Sequence, residues 1–220
     1  IAEQTCIGSR EPSDEEIAGM PEQARVQVLA PAVEFAAEHP AANPGVSSAG
    51  TGQADFDVVI VGAGGAGLRA AVEAREAGLS VAIVCKSLFG KAHTVMAEGG
   101  AAASMGNVND NDNWMVHFRD TMRGGKFLNH YRMAELHAKE APDRIWELEM
   151  WGALFDRTKE GKISQRNFGG HEYPRLAHVG DRTGLELIRT MQQRIVALQQ
   201  KDQRETGDAE KHLKVFAEVT

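Results

Sequence analysis

The chain has 220 residues, 42% of them hydrophobic and 25% charged, a composition typical of globular proteins and unlike that of disordered chains. Its formal net charge of −7 argues against a nucleic-acid-binding surface, and its 2 cysteines are too few for a disulfide framework or a cysteine-based metal site. Its apolar runs fall short of the roughly 18 residues that a membrane-spanning helix needs, so no such helix is expected.

Residues 1–54 differ in composition from the rest of the chain. They hold most of the prolines and end in the linker-like run NPGVSSAGTGQA. Within them, SDEE (13–16) is typical of a helix start and VEFAAEH (33–39) of a second short helix. The composition favours a partly ordered N-terminal extension, and a docking arm for a partner is the alternative.

A regular pattern begins at Asp57. FDVVIVGAG (56–64) predicts a buried strand, GLRAAVEAREAG (67–78) a helix, and SVAIVCK (80–86) a second buried strand. A strand, a helix and a strand with short connections form a βαβ unit, in which the two strands are parallel. Residues 55–220 are therefore predicted to be an α/β domain with a parallel, Rossmann-like sheet.

Three further elements follow along the chain. RMAELHAKEAPDRIWELEMWGA (132–153) has helical spacing and is expected to break near Pro142. DRTGLELIRTMQQRIVALQQ (181–200) predicts an amphipathic helix with Asp181 as its cap. HLKVFAEVT (212–220) is typical of the beginning of another strand, so we expect the domain to be incomplete at its C-terminus.

A glycine motif lies between the first strand and the first helix. GAGGAG (62–67) matches G-x-G-x-x-G in the strand–turn–helix context that dinucleotide binding requires. The glycines permit a tight turn, the approach of a pyrophosphate and close helix packing, and the helix N-terminus offers free N–H groups to the phosphates. The acid that usually follows the second strand is replaced by Cys85 and Lys86. Lys86 could favour an additional phosphate or neutralise the pyrophosphate.

The segment KAHTVMAEGGAAA (91–103) combines a histidine with small residues. Gly99, Gly100 and the alanines that follow would let the backbone approach a flat ring. His93 facing that ring could act as a base or a nucleophile, and the residues alone leave a buried core histidine equally open. No second ligand stands nearby at metal-binding spacing, so no metal site is expected.

This segment resembles the flavoprotein subunits of succinate dehydrogenase and fumarate reductase. Their pattern His-Thr-x-x-Ala-x-Gly-Gly is matched by residues 93–100, and MGNVNDNDNWMVHFRDT, GKISQRNFGG and DRTGLELIRTM follow in the family's order. The resemblance runs from about Asp57 to the end and covers the N-terminal part of the family only. It implies that the His93 imidazole is bonded to the 8α carbon of FAD. The other residues it places on FAD are Gly62, Ala63, Gly64, Gly65, Ala66, Gly67, Lys86, Ser87, Thr94, Gly99 and Gly100, and it places Phe168 and Gly99 at a dicarboxylate pocket.

The resemblance implies oxidation of succinate to fumarate by hydride transfer to covalently bound FAD. Electrons would pass to an iron–sulfur subunit, and membrane-anchor subunits would hold the complex, peripherally, at the cytoplasmic face of the inner membrane. The family's catalytic arginine and histidines lie in later domains, so no catalytic residue is assigned here and this stretch alone is expected to be inactive. The alternatives are a quinol:fumarate reductase flavoprotein, an enzyme like L-aspartate oxidase, and a non-catalytic flavin-binding fragment. The histidines expected to have only surface or packing roles are His117, His130, His137, His171 and His178.

Glu98 departs from the family pattern, which commonly has glutamine at this position. A carboxylate that faced a dicarboxylate substrate would be repelled by it. We therefore expect the Glu98 side chain to point outward or to pair with a cation.

Overall fold

The computed structural model describes residues 55–219, and the predictions for residues 1–54 lie outside the described residues. No helix in the described part is long and apolar enough to cross a bilayer. The elements in chain order are β1 (Val58–Val61), α1 (Gly65–Glu76), β2 (Val81–Val84), a 3₁₀ turn (His93–Met96), β3 (Ala101–Ala102), α2 (Trp114–Gly124), α3 (Tyr131–Met150), β4 (Gln165–Arg166), β5 (Leu176–Ala177), α4 (Thr183–Thr206) and β6 (Leu213–Phe216).

The main sheet consists of parallel strands in the order β1–β2–β6. β1 pairs with β2 in the register Val58↔Val81, and β2 pairs with β6 in the register Val81↔Leu213. Asp57 joins the starts of β1 and β2, because its carboxylate accepts hydrogen bonds from the N–H (2.8 Å) and the hydroxyl (2.7 Å) of Ser80. These bonds hold the pKa of Asp57 below its usual value. The predicted α/β fold with a parallel sheet is confirmed.

Helices α1 and α4 pack against this sheet and enclose its main apolar core. The helices contribute side chains at helical spacing, and β2 and β6 contribute theirs from the sheet. The core fixes the N-terminal end of α1 beside the turn that follows β1. Its fully buried members include Leu68, Ala71, Val72, Val81, Ile83, Ile195 and Leu213.

A second sheet has short antiparallel strands in the order β3–β5–β4. The buried amide of Gln165 joins the backbone beside these strands by donating to the carbonyl oxygens of Ala103 (2.6 Å) and Arg175 (3.1 Å). Arg175 is fully buried, and its Nη2 lies 2.9 Å from Asp112 Oδ1 and 3.0 Å from Asp120 Oδ2. Because Asp120 belongs to α2, this ion-pair network ties β5 to that helix.

The break expected near Pro142 does not occur, and α3 is continuous from Tyr131 to Met150. An internal proline costs a helix roughly 3 kcal/mol, through the lost hydrogen bond and the clash of its ring. Buried residues on both sides of the proline, Ala138 and Ile145 among them, anchor this helix. Tertiary packing therefore outweighs the local preference.

The predicted amphipathic helix is α4, but Asp181 is not its cap. The residue at the N-cap position is Arg182, which makes no side-chain capping bond. Asp181 is exposed and instead faces Arg166, with 3.3 Å between Oδ1 and Nη1. A side chain held by a neighbouring strand in this way does not reach the free N–H groups of α4.

Candidate cofactor-binding site

The turn between β1 and α1 requires glycine for reasons that differ by position. Gly62 has a φ of 111°, which favours glycine, and nothing within 4 Å would meet a Cβ there. A Cβ on Gly67 would lie 2.0 Å from the Gly62 carbonyl oxygen, so glycine alone lets α1 approach the turn. Among the described residues, the N–H groups of Ala66 and Gly67 have no hydrogen-bond partner. Such free groups at a helix N-terminus bind phosphate.

Thr94 connects the histidine segment to this turn. Its hydroxyl accepts a hydrogen bond from the Gly65 N–H at 3.1 Å. A Cβ on Gly65 would lie 3.2 Å from the Thr94 methyl carbon, and one on Gly64 would lie 3.3 Å from the Ala92 Cβ. The 3₁₀ turn that begins at His93 therefore lies directly beside the N-terminus of α1.

The side chain of His93 is exposed at the start of that turn. The alternative of a buried core histidine is therefore wrong. Within residues 55–219, no group of three or more histidines, cysteines or acids has a geometry suited to a metal ion. An exposed imidazole beside a phosphate-binding turn is available for a bond to a cofactor.

Gly99 and Gly100 lead into β3 and bring the backbone close to its neighbours. Gly100 has a φ of 123°, and a Cβ on it would lie 2.8 Å from the Ala177 carbonyl oxygen. A Cβ on Gly99 would lie 3.5 Å from the ring of Phe168, which is 58% exposed. The structure thus brings together the two residues predicted at a dicarboxylate pocket. Their contact with a substrate stays a prediction.

The end of β2 lies at the same edge of the sheet as the glycine turn. Cys85 occupies the usual position of the ribose-binding acid, but it is buried, and burial raises the pKa of its thiol. Lys86 is exposed, and the carbonyl oxygen of Ser87 accepts a hydrogen bond from the Glu218 N–H at 3.4 Å. Lys86 is therefore the charged side chain that β2 presents at this edge.

Gly184 fixes the histidine turn from the other side, a role that the sequence pattern did not indicate. Its N–H donates to the Ala97 carbonyl oxygen at 2.7 Å, and a Cβ on it would lie 1.8 Å from the Thr94 carbonyl oxygen. Glycine is a poor residue for the first turn of a helix. That mismatch was the signal that could have identified a close contact.

Arg166 on β4 is a second residue that the pattern did not single out. Its Nε donates to the Gly99 carbonyl oxygen at 2.6 Å, and its Nη2 donates to the Glu98 carbonyl oxygen. The Glu98 side chain itself is exposed, as expected for an outward orientation. Arg166 therefore holds the backbone of this segment while leaving its acidic side chain in solvent.

Three other histidines form a cluster against α2. The His117 ring centroid lies 5.2 Å from that of His137 and 5.9 Å from that of His171. His117 is 1% exposed, and burial, with the nearby Arg175 guanidinium and the other two rings, lowers its pKa to about 3. A neutral, buried ring is suited to packing.

Comparison with known proteins identifies the cofactor class. The model of the FAD binding domain family matches residues 57–207, a span that contains the glycine turn, the histidine turn and Arg166. A flavoprotein relative from Methanothermobacter marburgensis, a component of its fumarate reductase (CoM/CoB), is 48% identical over 143 residues, 64% of this chain and 26% of that protein. The succinate dehydrogenase flavoprotein subunit of Rickettsia bellii is 45% identical over 146 residues, 63% of this chain and 24% of that protein.

Among solved structures, Mycobacterium smegmatis Sdh1 in complex with UQ1 has 76% sequence identity and a TM-score of 0.74, over 75% of this chain and 28% of that one. The chain spans about a quarter of the length of the curated relatives it matches. The open turn at Gly62 and the free N–H groups of α1 suit the pyrophosphate of FAD. The chain belongs to the FAD binding domain family and, within it, is similar to the flavoprotein subunits of succinate dehydrogenases and fumarate reductases.

Proposed function

We propose that this chain is part of the FAD-bearing catalytic subunit of a succinate:quinone oxidoreductase, with FAD bonded covalently to His93. The observation that carries the proposal is the exposed His93 side chain on a turn that Thr94 bonds to the N-terminus of α1. A phosphate-binding turn and an available imidazole are thereby adjacent. The similarity to succinate dehydrogenase flavoprotein subunits supports the same assignment.

Each part of the site has a distinct task in this proposal. Residues 62–67 bind the pyrophosphate with backbone N–H groups, and Lys86 and Ser87 flank the adenosine side. Gly99 and Gly100 admit the flavin ring because they carry no side chain. Phe168 packs beside the dicarboxylate. The bound FAD supplies the hydride acceptor for succinate oxidation.

The proposed partners follow from the same assignment. Electrons leave to an iron–sulfur subunit, whose clusters require cysteine ligands. Membrane-anchor subunits hold the assembly, and this chain associates peripherally at the cytoplasmic face of the inner membrane. The flavoprotein relatives named above support a complex of this type.

Acid precipitation of the complete flavoprotein, followed by fluorescence of the washed pellet, tests the covalent bond. We expect flavin to stay with the polypeptide in the wild type and to be washed out of the His93→Ser variant. His130→Ser removes an exposed histidine at the start of α3 and is the matched control, expected to retain its flavin. Flavin washed out of the wild type as well would refute the covalent assignment and favour an enzyme like L-aspartate oxidase.

Fumarate reduction is the second candidate direction. It is favoured by the 48% identity to a component of a fumarate reductase. Initial rates of succinate oxidation and fumarate reduction by the isolated complex, measured with matched quinone and quinol, distinguish the two. A faster rate of fumarate reduction would reverse the proposed direction.

A further inference from the structure

Arg166 binds two consecutive carbonyl groups with one edge of its guanidinium. Nε donates to the oxygen of Gly99 at 2.6 Å, and Nη2 donates to the oxygen of Glu98. The third contact is weaker, because Nη1 lies 3.3 Å from a carboxylate of Asp181 that is 85% exposed. The guanidinium is therefore committed mainly to the backbone of the segment that enters β3.

This contact sets the direction of two N–H groups. No peptide bond in the described chain is cis, and in a trans peptide the C=O and N–H groups point in opposite directions. The N–H groups of Gly99 and Gly100 therefore both point away from Arg166. In a regular strand, successive groups would alternate. The φ of 123° at Gly100 marks the departure from that pattern.

The ladder between β3 and β5 gives the same direction independently. The Ala103 N–H bonds to the Arg175 carbonyl oxygen at 2.9 Å. The alternation of an antiparallel pair then turns the Gly100 N–H away from β5. β3 is the edge strand of its sheet, so this N–H faces the open side. Within residues 55–219, neither Gly99 nor Gly100 donates its N–H to another residue.

We propose that Arg166 is a positioning residue of the flavin site, which holds the Gly99 and Gly100 N–H groups as a paired donor for the polar edge of the flavin ring. The inference rests on the proposed function, since that function brings the ring to this segment. Adjacent N–H groups that point the same way form a concave site for negatively charged or electron-rich atoms. A cation bound to the carbonyl side of the same peptides polarises them and strengthens the donors.

Three variants of the complete flavoprotein separate position from charge. Arg166→Gln removes the cation, Arg166→Lys keeps the charge but loses the planar fork that binds two carbonyls, and Asp181→Asn removes only the exposed contact. The readouts are the protection by FAD of the Gly99 and Gly100 amides in hydrogen exchange, and the midpoint potential of the flavin. Neither requires turnover.

In the wild type and Asp181→Asn, we expect FAD to protect both amides. In Arg166→Gln and Arg166→Lys, this protection should fall about tenfold, the effect of losing roughly one hydrogen bond, and the midpoint potential should become lower. Wild-type protection and potential in Arg166→Lys would overturn the positional argument, because charge alone would then suffice. If Arg166→Gln does not fold, Arg166→Lys decides alone.

Absence of amide protection in a wild type that binds FAD would also overturn the inference, with the proposed function intact. Failure of the proposed function has a different signature. In that case the wild type carries no covalent flavin, while the protection by bound FAD can still be measured.

Discussion

His117 should make the folded state sensitive to mild acid. The ring is 1% exposed, and burial, with the Arg175 guanidinium and the rings of His137 and His171, lowers its pKa from 6.5 to about 3. Below a pH of about 6.5 the unfolded chain binds a proton at this ring and the folded chain does not. The stability that depends on the neutral ring is therefore present above the unfolded pKa and is lost as the pH falls toward the folded one.

The size of the loss follows from the difference between the two pKa values. Lowering the pH from about 7.5 to about 5 should cost the folded state about 2 kcal/mol through His117 alone, since each pH unit below the unfolded pKa contributes about 1.4 kcal/mol. His171 acts in the same direction, because partial burial and then Arg175 lower its pKa. The carboxylate of Asp120 opposes the effect at His117.

Urea unfolding of the wild type and of His117→Gln at the two pH values measures this term. Glutamine is polar and does not titrate, so the loss of unfolding free energy between the two conditions should shrink by about 2 kcal/mol. His130→Gln, at the exposed start of α3, is the matched control. An equal loss in His117→Gln and in the wild type would refute the reasoning from burial. Exchange of the ring C2 proton, followed by mass spectrometry, gives the pKa of His117 directly.

Three further predictions concern the glycine turn, a buried ion pair and the acidic side chain near the flavin. Gly67→Ala, whose Cβ would lie 2.0 Å from a carbonyl oxygen, should lose about 2 kcal/mol and most bound flavin, whereas Gly124→Ala, with nothing within 4 Å, should lose neither in thermal melts and flavin assays. Asp202→Ala should lose about 3 to 5 kcal/mol in urea unfolding, because it leaves Arg75, 2.5 Å away, without its buried partner; a loss below about 1 kcal/mol would contradict this. Glu98→Gln should keep its flavin and bind succinate about two- to threefold more tightly in titrations, and weaker binding would contradict the repulsion argument.

The main sheet could be predicted because its signals are local. The apolar strands, the glycine turn and the amphipathic helix lie within about 30 residues, the length of one βαβ unit. The second sheet could not be predicted in this way. Its strands are two residues long, too short for an alternating pattern, and Ala101 pairs with Ala177, far along the chain. The continuous α3 shows the same limit, since packing around Pro142 is invisible to local preference.

The residue types of the candidate site were predictable, but the contacts between its segments were not. The spacing from Gly62 to Gly67 indicates a phosphate-binding turn by itself. Nothing in the sequence shows that the Thr94 hydroxyl bonds to the Gly65 N–H, because that bond depends on how the chain returns from β2. Arg166 is equally silent, since its partners are backbone carbonyls, which carry no sequence signature.

These contacts explain why motifs far apart in the chain act on one site. Thr94 is fixed on one side by the N-terminus of α1, and the Ala97 carbonyl on the other by Gly184 at the start of α4. The exposed His93 therefore projects from a short turn whose backbone is held between two helix N-termini. A side chain that must bond to one atom of a cofactor needs this kind of support, because a small displacement of the turn would move it out of reach. The glycine at the start of α4 is thus as much a part of the flavin site as the glycines of the β1–α1 turn.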